Sequence, residues 1–64
     1  MMKRGSLVHY HLDDDKNKRL YVVYDVELNY YYEAMSRVNV VCPKTTKKFW
    51  FFLSDLKELK NESR

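Results

Sequence analysis

Two histidines at alternate positions, His9 and His11, stand just ahead of three adjacent carboxylates, Asp13, Asp14 and Asp15. Imidazoles two residues apart on a strand share one face and could both reach a metal, with the aspartates as further ligands. The commoner meaning of such a pair is polar surface on an exposed strand face. A calcium loop spaces its acids at alternate positions and adds a glycine and a distant glutamate. Three consecutive aspartates beside Lys16, Lys18 and Arg19 lack that spacing and fit a solvated loop. Cys42 could serve as a nucleophile if a histidine activated it. It falls in phase with Val38 and Val40, where a cysteine packs as a small hydrophobe. With one glycine in the chain, a phosphate-cradling loop is excluded. No catalytic constellation is present, so neither an enzyme nor a metal or cofactor site is expected.

The remaining chemistry is aromatic and basic. Phe49-Trp50-Phe51-Phe52 follows the loop Lys44-Thr45-Thr46-Lys47-Lys48, and Tyr30-Tyr31-Tyr32 forms a second cluster. Tyrosine, tryptophan and arginine dominate protein-protein hot spots. The same residue types stack bases while cations contact phosphate. A third meaning is plain core, since a small barrel folded on itself buries both faces of its sheet.

The strands that must position these groups show in the hydrophobic alternation. Leu7 to Leu12 places Val8, Tyr10 and Leu12 on one face, with His9 and His11 on the other. Asp13 to Lys18 reads as a loop turning at Asn17. Leu20 to Leu28 sets Leu20, Val22, Tyr24, Val26 and Leu28 on one face against Tyr21, Val23, Asp25 and Glu27. Asn29 to Ser36 has neither period and reads as a long loop with one helical turn through Tyr31, Ala34 and Met35. Arg37 to Cys42 alternates again with Val38, Val40 and Cys42 inward, and Pro43 ends it for want of an amide. In the fourth strand Phe49, Phe51 and Leu53 face the core, with Trp50 and Phe52 opposite and Tyr21 and Val23 beside them. A helical turn at Ser54-Asp55-Leu56 then leads to a short final strand. The alternative is a C-terminal helix, because Phe49, Phe52, Leu53 and Leu56 also sit at helical spacing.

Sixty-four residues make one domain, 1-64, with a core over about 5-60 and fraying at 1-4 and 61-64. A chain this short hides only about 60% of its unfolded surface. One cysteine forbids an internal disulfide, so six Tyr, three Phe and one Trp must supply the packing. No apolar run approaches the roughly 20 residues of a membrane span. Met1-Met2-Lys3-Arg4-Gly5 is basic but leads into no signal-peptide core. Both points, with the unpaired cysteine, predict a soluble intracellular protein. The net charge of +3 permits a polyanion partner without demanding one.

Gly5-Ser6-Leu7-Val8 resembles the Gly-Asp-Leu-Val opening of many SH3-like small barrels. Leu20-Tyr21-Val22-Val23 and Val38-Asn39-Val40-Val41 look like their second and third strands. Lys44 to Leu56 is similar to their hairpin, fourth strand and helical turn, with Leu59 closing the fifth strand. The chain resembles short uncharacterised SH3-like proteins of tailed bacteriophages. Ser6 stands where an acidic residue is commoner, and Thr46 where the hairpin usually carries glycine. The resemblance covers nearly the whole chain but rests mostly on core positions. It implies a fold, a viral origin, residence in the host cytoplasm, and a binding rather than catalytic role.

The sequence therefore predicts a mainly all-β, five-stranded SH3-like barrel with one helical turn before the last strand. Its expected role is a non-catalytic interaction module recognising a host or viral protein surface, a second copy of itself included. Tyr30, Tyr31 and Trp50 would anchor the contact and Arg37, Lys47 and Lys48 would rim it. A nucleic-acid-binding barrel using the same patch is the alternative.

Overall fold

The computed structural model describes residues 2–14 and 16–59. Five strands, β1 (Leu7–Tyr10), β2 (Leu20–Glu27), β3 (Arg37–Val41), β4 (Lys48–Phe52) and β5 (Leu56–Glu58), form one antiparallel sheet in the order β4-β3-β2-β1-β5. Single 3₁₀ turns occupy Glu33–Met35 and Leu53–Asp55. The polypeptide is thus mainly β. The C-terminal helix does not form: Leu53 to Asp55 make one 3₁₀ turn, and Leu56 resumes extended backbone against Tyr10. The β4 and β5 strands are the two ends of the sheet order, and no ladder joins them among the described residues.

The buried cluster holds Val8, Tyr21, Val23, Val38, Val40, Cys42 and Leu56, with Val26, Phe51 and Leu53 packed against it. Val38 and Val40 are fully buried and Cys42 continues the series, as the alternation of β3 predicts. Met2, in the segment expected to fray, is 9% exposed and joins the cluster. Positions 1 and 61–64 of the expected frayed ends lie outside the described residues.

Strand β2 departs from simple alternation. Val23 pairs with Val40 and Asp25 with Asn39, so Tyr24 is an extra residue and the register shifts there. Such a bulge moves every later side chain to the other face. Tyr21 and Val23 point into the core before it, and Val26 after it. The expected single face Leu20-Val22-Tyr24-Val26-Leu28 is therefore broken at the bulge: Val26 packs against the core, while Tyr24 and Leu28 are exposed. Tyr21 and Val23 likewise do not lie beside Trp50 and Phe52. The Tyr21 ring packs against Phe49 at 5.7 Å and Phe51 at 5.5 Å, on the core side of β4.

Strand β1 is shorter than expected and ends at Tyr10. Leu12 is exposed rather than core-facing. His9 is buried, because β1 lies between β2 and β5 and His9 sits directly between Leu20 and Lys57. Residues so opposed have Cβ atoms about 5 Å apart, which crowds the imidazole. Its Nδ1 lies 2.9 Å from the Tyr10 carbonyl.

At the start of the sheet Gly5, at φ +88°, donates its amide to the Val23 carbonyl at 2.8 Å. That left-handed conformation suits glycine. Ser6 Oγ donates to Glu58 Oε2 at 3.0 Å and accepts from the Lys3 amide at 3.1 Å. The hydroxyl thereby ties the first and last strands.

Candidate functional site

Past the bulge, three strands turn one polar-aromatic face outward. Cross-strand pairing sets Glu27 beside Arg37 beside Phe52, and Asp25 beside Asn39 beside Trp50. The two rows flank one that faces the core, Val26-Val38-Phe51, so the order of the outer face follows from the core. The Trp50 and Phe52 rings meet edge to face at 5.2 Å. The Arg37 guanidinium carbon stands 4.5 Å from the Trp50 ring centroid, one position diagonal across the ladder. At the other end of β4, Lys48 Nζ lies 5.4 Å from the Tyr24 ring centroid. Between them Asn39 Nδ2 donates to Glu27 Oε2 at 3.0 Å. Trp50 is 48% and Tyr24 40% exposed, so cations and rings meet with water on the outer side.

Of the six residues predicted as a site, Arg37 and Trp50 form one unit. Lys48 shares their face two residues from Trp50, roughly 7 Å along an extended strand, and its ammonium meets Tyr24 instead. Tyr30 and Tyr31 project from the loop between β2 and β3, 94% and 89% exposed. Asn29 shapes that loop: its Oδ1 accepts the amides of Tyr31 and Tyr32, and its own amide donates to Ser36 Oγ at 2.9 Å. Ser36 is wholly buried, and its carbonyl accepts the Leu53 amide, so the two 3₁₀ turns are tied together. The helical turn is Glu33–Met35, one residue pair later than Tyr31. Lys47 lies in the hairpin beside Lys44 rather than on the aromatic face. Tyr24 is the contact residue that alternation hid, because only the bulge brings it outward.

The other chemical candidates are dispersed. His9 is buried, while His11 lies beyond the strand with its Nε2 3.9 Å from Asp55 Oδ1. Asp14 Oδ1 accepts the amides of Lys16 and Asn17, and Asp13 Oδ2 that of Arg19, so both carboxylates fasten their own loop. Asp15 is outside the described residues. Among the described residues no group of three or more His, Cys, Asp or Glu side chains gathers as a metal site. No helix there is long and apolar enough to cross a membrane.

Cys42 opens the turn between β3 and β4. The Thr45 hydroxyl bonds its sulfur, and the backbones of Thr45 and Lys44 add to this. These contacts, with Arg19 nearby, hold the thiol below its ordinary pKa against the opposing effect of burial. The groups around the sulfur are hydroxyl, amide and guanidinium, not the imidazole a general-base mechanism needs.

Comparison of the chain with protein-family models, curated proteins and solved structures finds no match.

Proposed function

We propose that this chain is an SH3-like small β-barrel of the tailed-phage type. In this reading it acts inside the host cell as a non-catalytic module that recognises a protein surface. The strand order, with a 3₁₀ turn before the last strand, supports the barrel reading. The resemblance of Gly5 to Val8 and of Lys44 to Leu56 supports the phage lineage.

The observation that carries the binding reading is the outer face of β2, β3 and β4. Trp50, Phe52 and Tyr24 offer aromatic area there, flanked by cations at Arg37 and Lys48 and by carboxylates at Asp25 and Glu27. A face with both signs of charge complements itself under a two-fold axis, which is what an isologous dimer requires. The first partner in this proposal is therefore a second copy of the chain. Tyr30 and Tyr31 extend the contact from the adjoining loop.

Sedimentation velocity across a concentration series tests it, with wild type beside Trp50→Ser and Arg37→Glu. A wild-type dimer that both variants weaken is expected. A wild type monomeric at every concentration, or dimers unaffected by both variants, would sink self-association through this face.

A further inference from the structure

A second surface lies on the other side of β4, where Phe49 points away from Trp50. An open groove of about 680 Å³ runs between the Asn17-to-Leu20 segment and the Cys42-to-Lys47 turn. Arg19, Lys44 and Lys47 line it, with Lys18 as a fourth cation, and no acidic side chain does. Among the described residues none of Arg19, Lys44 and Lys47 forms an ion pair. Of the described carboxylates in the preceding loop, Asp14 accepts the amides of Lys16 and Asn17, and Asp13 that of Arg19. Three cations thus converge on a groove whose lining carries no acidic side chain.

Phe49 gives this groove its chemical character. By alternation it belongs to the core side of β4, directly opposite fully buried Val40. It nevertheless remains 39% exposed and lines the groove. Tyr21 meets it edge to face at 5.7 Å and packs against one side of the ring. An aromatic among three unpaired cations is the arrangement that single-stranded nucleic acid uses, with a base on the ring and phosphates on the cations. An acidic peptide without aromatic side chains would use the cations and leave the ring unused.

We infer that the groove formed by Arg19, Lys44, Lys47 and Phe49 binds single-stranded nucleic acid. The three cations contact successive phosphates and Phe49 stacks a base. Sequence preference is weak, since stacking accepts every base. This site is independent of the sheet face, and neither reading requires the other.

The test is fluorescence anisotropy of a labelled oligothymidylate of about 12 nucleotides against the full chain, at about 50 and 200 mM salt. Three phosphate contacts on a single strand give a log-log salt slope near −2, so wild-type binding should be roughly micromolar at low salt and about twentyfold weaker at high salt. Lys44→Glu combined with Lys47→Glu should weaken it by about tenfold or more and flatten the slope. Phe49→Leu should lose at least about fivefold with the slope unchanged. Lys3→Glu combined with Lys57→Glu makes the same charge change away from the groove and should leave binding near wild type. Circular dichroism checks that each variant is folded.

The proposal is overturned if wild type fails to bind at low salt, or if the distant charge pair weakens binding as much as Lys44 and Lys47 do. An unchanged affinity in Phe49→Leu also overturns it. So does displacement of the oligonucleotide by polyglutamate as readily as by unlabelled oligothymidylate, which would make the groove a site for acidic protein.

Discussion

The Arg37 guanidinium lies 4.5 Å from the centre of the Trp50 ring, although Arg37 pairs in register with Phe52. The side chain crosses the ladder diagonally, and the Phe52 edge meets the same indole. One exposed tryptophan is therefore held in place by a cation and a ring. Preordered aromatic area costs less entropy to bury than mobile area, which is why this face suits docking.

Arg37→Ala should free that indole. A cation over an exposed ring contributes about 0.5–1 kcal/mol, so a loss of that size is expected in urea unfolding. Trp50 is the single tryptophan, and its fluorescence should become more open to acrylamide quenching in the dilute variant. Unchanged quenching and unchanged stability would show that the contact orders nothing.

Thr46 has φ +60°, and it is the non-glycine residue with left-handed backbone among those described. The Cys42 carbonyl accepts the Thr46 amide, and the Lys47 carbonyl accepts that of Cys42, so the loop closes only if Thr46 takes this conformation. A β-branched residue there costs about 1–2 kcal/mol, and glycine returns part of the gain as unfolded-state entropy. Thr46→Gly should raise stability by about 0.5–1 kcal/mol, read as a higher urea midpoint with an unchanged slope. A lower midpoint would contradict the strain.

The thiol of Cys42 makes stability depend on pH. Its folded pKa is lowered, first by the Thr45 hydroxyl and then by the backbones of Thr45 and Lys44. A group of lowered folded pKa contributes stability that is fully present above its unfolded pKa and is lost as pH falls through the folded value. The stability of wild type relative to Cys42→Ala should therefore grow from about pH 6 to about pH 10, in the range where a thiol ionises. Thr45→Val should shrink that growth, because it removes the largest contribution. A difference independent of pH would refute the thiolate's stabilisation by the turn.

Much of the sheet was legible because β3 states its own geometry. Val38, Val40 and Cys42 alternate without interruption, and Pro43 ends the ladder where it must. The turn before β5 was legible for a similar reason, since Ser54-Asp55 breaks the apolar run. The bulge at Tyr24 was not legible. A period of two passes through an extra residue without visible fault, and only pairing with β3 reveals that Val23 and Asp25 face opposite sides. That one residue decides that Tyr21 supports Phe49 and that Tyr24 meets Lys48. The candidate patch was legible as Trp50 with Arg37, but Lys47 lies in the hairpin before β4 and off that face. Burial of His9 and Ser36 depends on neighbours far along the chain, so no local pattern announces it.

The place of β1 in the sheet has a consequence for how the chain is made. Val8 is completely buried only when Tyr21 lies on one side of it and Glu58 on the other. A ribosome delivers β1 first and β5 some fifty residues later. Until then the early strand has one partner and an open edge, and its valine stays wet. The β2-β3-β4 meander can pair locally before β5 is added, but it cannot seal the core. Folding of this domain is therefore completed only after β5 emerges, by the strand pairing of greatest sequence separation that the sheet contains.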